Sequence, residues 1–177
     1  MLEQEPALKT LSLKQMVEGV LKEHHEPTRQ WIERAKILLR EAAAENIDNP
    51  LINKLGMSFQ SLAMTMHMHM EKEEEVLFPM FQRIEEGLNT ERFCGGIENP
   101  IRVMENEHKD LDLHFERIRR ITNDFQVTHE TTPVVKELYE VLQSLETDLK
   151  IHSEKEECEL FPTAVAREKK IAERRVE

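Results

Sequence analysis

At 177 residues, with 39% hydrophobic and 33% charged side chains, the chain suits one domain with a sizeable core and is too apolar for disorder. A formal net charge of -11 sets it against phosphate backbones and anionic lipid, so neither nucleic acid nor membrane is an expected partner. No apolar run is long enough to span a bilayer, and Met1-Leu2-Glu3-Gln4-Glu5-Pro6 lacks a basic-then-apolar leader, which makes the cytoplasm the expected compartment.

Good helix formers dominate and glycine is scarce, so the expected fold class is all-α. A short tail over 1–11 precedes the first predicted helix, Ser12 to Ala44, in which Pro27 marks either a kink or a start. Asp48 or Asn49 can cap the second helix at Pro50, which runs to Glu86 and stops at Gly87. A loop over 88–98 follows. Asn99-Pro100 repeats the cap-then-proline signal and opens a third helix to Phe125. Thr132-Pro133 opens a fourth, to Ala166, leaving a charged tail over 168–177 and one domain over 12–167. Apolar residues recur at alternating spacings of three and four, as in Leu55, Phe59, Leu62, Met66, then Val76 and Met80 of the second helix. Four such helices with short connections predict an antiparallel four-helix bundle.

The gaps in these stripes carry the chemistry. His25, His69, Glu73, His108, His152 and Glu156 fall on predicted core faces. A carboxylate buried alone is costly, and two among four imidazoles can be satisfied by shared metal. The spacing of four in His69-x-x-x-Glu73 and His152-x-x-x-Glu156 puts both side chains of each pair on one helix face. The segments His69–Pro79 and His152–Pro162 match at eight of eleven positions, offset by 83 residues, and the same offset carries His25 to His108. The chain thus reads as two helix hairpins whose pseudo-twofold pairing would create two equivalent metal positions at the bundle centre. Pro79 and Pro162 should bend or loosen the helix beyond the ligands, with Leu77, Phe78, Leu160 and Phe161 covering that end. Imidazole and carboxylate donors suit iron, and also permit manganese or zinc.

Other candidates carry less. His24 is the alternative to His25, because Pro27 leaves the local register open. The pair His67 and Glu71 turns away from the His69 face, His114 faces elsewhere, and His129 lies in a loop. Met64, Met66, Met68 and Met70, scattered over two helix faces by their alternating spacing, read as core filling rather than a soft-metal site, the Glu73-Glu74-Glu75 and Glu156-Glu157 runs as mostly solvated beyond one ligand each, and Cys94 and Cys158 as reduced thiols, with Cys158 pointing away from the metal face but a candidate for a redox contact.

The motifs His69-Met-Glu-Lys-Glu73 with Leu77-Phe78-Pro79, Glu107-His108, His152-Ser-Glu-Lys-Glu156 with Leu160-Phe161-Pro162, and His24-His25 with Arg29 resemble hemerythrin-like (HHE cation-binding) domains. Within that superfamily the chain is most similar to the di-iron domain of iron-centre repair proteins, which are associated with nitrosative and oxidative damage to iron-sulfur clusters. The resemblance implies His25, His69, His108 and His152 as terminal ligands and Glu73 and Glu156 as bridges between two irons. Oxygen-carrying relatives have a histidine at the place of Asp112 and an aspartate at spacing five in the fourth helix, so simple oxygen transport is not expected. Repair proteins usually carry an N-terminal cysteine pair, and no cysteine precedes His24 here. The implied activity is a di-iron redox protein meeting nitric oxide, peroxide or oxygen, with an electron donor or an iron-sulfur apo-protein as partner, in a monomer or dimer. An iron-donating protein and an oxygen, redox or iron sensor are the alternatives.

Overall fold

The computed structural model describes residues 11–45, 49–88, 90 and 95–174. Most of the expected N-terminal tail, the end of the C-terminal one, Asp48 and Cys94 lie outside them. Four long helices form: α1 (13–45), α2 (50–85), α3 (Glu98–Thr122) and α4 (133–173), with no strand among the described residues. The ends of three follow from local chemistry. Ser12 and Gln15 form a reciprocal capping box at α1, Asn49 accepts from the backbone of Leu51 and Ile52 at α2, and Thr132 accepts from Val135 at α4. Replacing Asn49 with alanine should cost about 1 kcal/mol and lower the melting temperature by about 2–4 °C, as a circular-dichroism melt would show.

α3 departs from expectation at both ends. Its N-cap is Ile97, not Asn99, and the cap comes from another helix, since Ile97 N–H meets both Glu168 carboxylate oxygens at 3.3 Å. Pro100 is still in the first turn, where a missing N–H costs nothing. At the other end Asn123, Asp124 and Phe125 all take left-handed φ values, so the helix stops at Thr122. α4 runs to Glu173, past the expected Ala166 and into the segment read as tail.

Three prolines sit inside helices, and each follows a five-residue π-helical stretch by one residue: Leu21–His25 before Pro27, Glu73–Leu77 before Pro79, and Glu156–Leu160 before Pro162. A mid-helix proline lacks the N–H for the carbonyl four residues back, and its ring crowds that carbonyl. The wider turn relieves both, with Glu26, Phe78 and Phe161 each donating to the carbonyl five residues earlier. The loosening therefore begins at the glutamates, not beyond them. It also shifts the apolar stripe: Val76, expected inside, is 50% exposed, and Leu77 and Phe78 take the core positions.

The core divides into two clusters. One, with Phe59, Leu62, Phe115 and Leu145, fills the body of the bundle; the other, with Leu13, Leu77, Phe78, Phe81, Leu160 and Phe161, closes the end beyond the π turns. Side by side, α1 lies along α4 and α2 along α3, whereas α1 touches α2 and α3 touches α4 more sparsely. The methionine cluster is split by helical geometry: Met66 and Met70 are buried, while Met64 and Met68 are 66% and 45% exposed and fill no core. No helix among the described residues is long and apolar enough to cross a membrane.

Candidate metal centre

Between the two apolar clusters lies a polar layer made from all four helices. The structure brings His25 (α1), His69 and Glu73 (α2), His108 (α3), and His152 and Glu156 (α4) together, all of them buried. They form two overlapping groups. His25, Glu73, His152 and Glu156 converge within 4.8 Å, and so do His69, Glu73, His108 and Glu156. The glutamates belong to both groups and each histidine to one. Glu73 turns Oε2 toward His25 Nε2 at 3.1 Å and Oε1 toward His69 Nε2 at 3.5 Å. Glu156 turns Oε1 toward His152 Nε2 at 3.1 Å and Oε2 toward His108 Nε2 at 3.3 Å. Each carboxylate thus offers one oxygen to each position.

The outer nitrogens explain why the inner ones face the centre as lone pairs. The Nδ1–H of His25 donates to Glu74 Oε1 at 2.6 Å, that of His69 to Glu107 Oε2 at 3.2 Å, and that of His108 to Glu157 Oε1 at 2.8 Å. A proton held at Nδ1 leaves Nε2 as an acceptor. Glu74 is itself held by Arg29 at 2.7 Å, and Glu107 by Lys72. The 83-residue offset repeats here too, carrying Glu74 to Glu157. These two glutamates belong to runs read as solvated, and that reading is corrected. Their signal was their place directly after each buried glutamate in both copies of the repeat.

The repeat is broken at one point. Position 24 corresponds to Glu107 and holds a histidine. His24 joins neither group; its Nδ1 meets Asp148 Oδ1 at 2.9 Å, and its ring stacks parallel to His152 with centroids 5.2 Å apart. No carboxylate holds His152 Nδ1 among the described residues. Cys158 is a free, exposed thiol, and His67, His114 and His129 stand outside both groups.

Without a cation this layer is badly matched. Both oxygens of Glu73 and of Glu156, and Nε2 of His25 and His152, are buried with no hydrogen-bond partner. The Nε2 atoms of His69 and His108 face each other at 3.1 Å. Burial, with the Glu156 charge beside it, drives the Glu73 carboxyl well above its ordinary range. Burial also pushes Glu156 up, but the His152 and His108 imidazoles outweigh it and hold that carboxyl low. Burial and His152 push His25 down to about 4, and burial likewise lowers His69. Such a set of acceptors is a cation site by its chemistry, and these oxygen and imidazole donors fit iron, manganese or zinc. Replacing Glu107 with glutamine should loosen the His69 ring and weaken metal affinity by about 10–100-fold, read by competition with a chelator.

Comparisons with known proteins give the family. The Hemerythrin HHE cation binding domain matches residues 16–164. The iron-sulfur cluster repair protein YtfE of Cronobacter sakazakii is 31% identical over 162 residues, covering 89% of this chain and 68% of its own. That of Citrobacter koseri is 28% identical over 163 residues, covering 90% and 70%. With a matching profile across most of its length and the paired His/Glu groups that a cation would need, the chain belongs to the hemerythrin HHE cation-binding domain family.

Proposed function

We propose that the chain holds two iron ions, one at His25/His152 and one at His69/His108, with Glu73 and Glu156 shared between them. The observation that carries this reading is the four inward carboxylate oxygens with no donor, one from each glutamate directed to each position. A bound iron pair supplies one-electron redox chemistry and a place for a small diatomic or peroxide ligand. The protein's own residues fix the rest. The two apolar clusters exclude bulk water on both sides, and Glu74, Glu107 and Glu157 orient the imidazoles. The π turns place Glu73 and Glu156 at the loosened point of each helix, where a carboxylate can shift without unwinding its neighbours.

The activity that fits is defence against nitric oxide, peroxide or oxygen during nitrosative and oxidative stress, in the cytoplasm, and the name of the relatives, iron-sulfur cluster repair protein, points the same way. Donation of iron to damaged centres is the second reading. It is favoured by the unequal support of the two positions: His152 has a stacked histidine where His69 has a carboxylate. The deciding experiment loads the chain with ferrous iron anaerobically and counts turnovers with nitric oxide and peroxide, in parallel with transfer of iron to a chelator. Many turnovers with retained iron support the redox reading. Rapid loss of one ion, without turnover, supports donation. A chain that takes up no iron overturns both.

A further inference from the structure

Away from the metal layer, a groove of about 900 Å³ lies between α1 and α2, within the roughly 300–1,000 Å³ typical of small-molecule sites. It exists because each of these helices packs more closely on another partner than on the other. Its floor is apolar, made by Ile32, Phe59, Ala63 and Met70. Its two edges differ. Arg29, Lys36 and Arg40 line the α1 side, seven and then four residues apart and so on one face. Glu33 is the one acidic residue among the described lining residues and pairs with Lys36 at 2.7 Å, while Arg29 is held by Glu74 at 2.7 Å, so the edge keeps a net positive charge centred on Arg40. The α2 side offers Gln60, Met64 and His67, with no carboxylate. A basic edge over an apolar floor is unusual on a chain of net charge -11.

Gly56 supplies an independent observation. It sits inside α2, lines the groove, and has no positive φ to justify it. A Cβ built there would meet no atom within 4 Å. A mid-helix glycine costs about 1 kcal/mol relative to alanine, and no contact within this chain requires the missing side chain. A side chain there would project into the groove.

We propose that this groove binds a free long-chain aliphatic carboxylate, its chain laid along the floor and its head group on the Lys36 and Arg40 edge. Charge complementarity at Arg40 and the apolar floor select that occupant over a neutral amphiphile, and the net charge of -11 disfavours a second copy of the protein.

The test is calorimetric titration of the purified full chain with dodecanoate, kept below its micellar concentration, and with dodecanol for comparison. Saturable binding of one dodecanoate per chain is expected, with dodecanol about tenfold weaker. Gly56→Phe should fill the groove and weaken dodecanoate by at least about tenfold while the helix melts no lower. The pair Lys36→Glu and Arg40→Glu should weaken dodecanoate similarly and leave dodecanol unchanged, whereas Lys136→Glu on α4 should alter neither. Absence of binding, equal binding of dodecanol, or indifference to both groove variants would overturn the proposal. So would a concentration-dependent dimer that Gly56→Phe dissolves, which would assign the groove to a second copy.

Discussion

Replacing Glu73 with alanine should empty both metal positions, whereas replacing His25 with alanine should empty only one. The difference comes from sharing. Glu73 and Glu156 each belong to both ligand groups, with one oxygen directed to each, while every histidine belongs to one group. Loss of His25 leaves His69, His108 and both carboxylates in place for the second ion. Loss of Glu73 takes a ligand from each position and leaves Glu156 alone to offset two cations. Elemental mass spectrometry after anaerobic ferrous loading and desalting should therefore read about two ions per chain for the parent, about one for His25→Ala or His108→Ala, and close to none for Glu73→Ala or Glu156→Ala. A far-UV circular dichroism spectrum shows whether each variant is still helical. A folded Glu73→Ala chain that keeps one tightly held ion would show that the carboxylate serves a single position.

Much of this centre was legible in the sequence, because burial and repetition leave a pattern in residue spacing. Six polar residues at core positions, reproduced at an offset of 83, marked the groups that the structure brings together. What escaped was set by tertiary context. Glu168 caps α3 from another helix, so no local signal at Asn99 could reveal it. The π turns were half-visible: the prolines announced a disturbance, but not that it would be absorbed upstream, at the ligands, and would turn Val76 outward. Glu74 and Glu157 sit inside acidic runs, each directly after a buried glutamate in both copies of the repeat, but their partners, His25 and His108, lie on other helices. The methionines are a case of local geometry instead: their alternating spacing already scattered them over two helix faces, and only Met66 and Met70 fill the core.

Metal should reverse the sign of the stability change caused by Glu73→Gln. In the metal-free chain, burial and the neighbouring Glu156 charge raise the Glu73 carboxyl above its unfolded value. The folded chain then keeps a proton that the unfolded chain has released, so stability falls as the pH rises from the unfolded value toward the folded one. Glutamine has no proton to lose. The variant should be the more stable form without metal, and its advantage should widen as the pH rises above the ordinary carboxylate range. His25 acts on the acid side with the opposite slope. Burial and His152 push it down to about 4 from an ordinary 6.5, so the unfolded chain takes up the proton first and stability is lost as the pH falls through that interval. That loss should persist in the variant. With iron present the carboxylate becomes a ligand, and a metal held at about 100 times its dissociation constant contributes about 2.7 kcal/mol. At about 2–4 °C per kcal/mol for a chain of this size, losing that contribution at both positions should make Glu73→Gln melt roughly 10–20 °C below the parent, less what the variant gains without metal. Melts of both proteins at pH 6, 7 and 8, with and without ferrous iron, would reveal the crossing. Because a purely structural Glu73 would give the same sign under both conditions, the absence of a crossing would count against the metal centre itself.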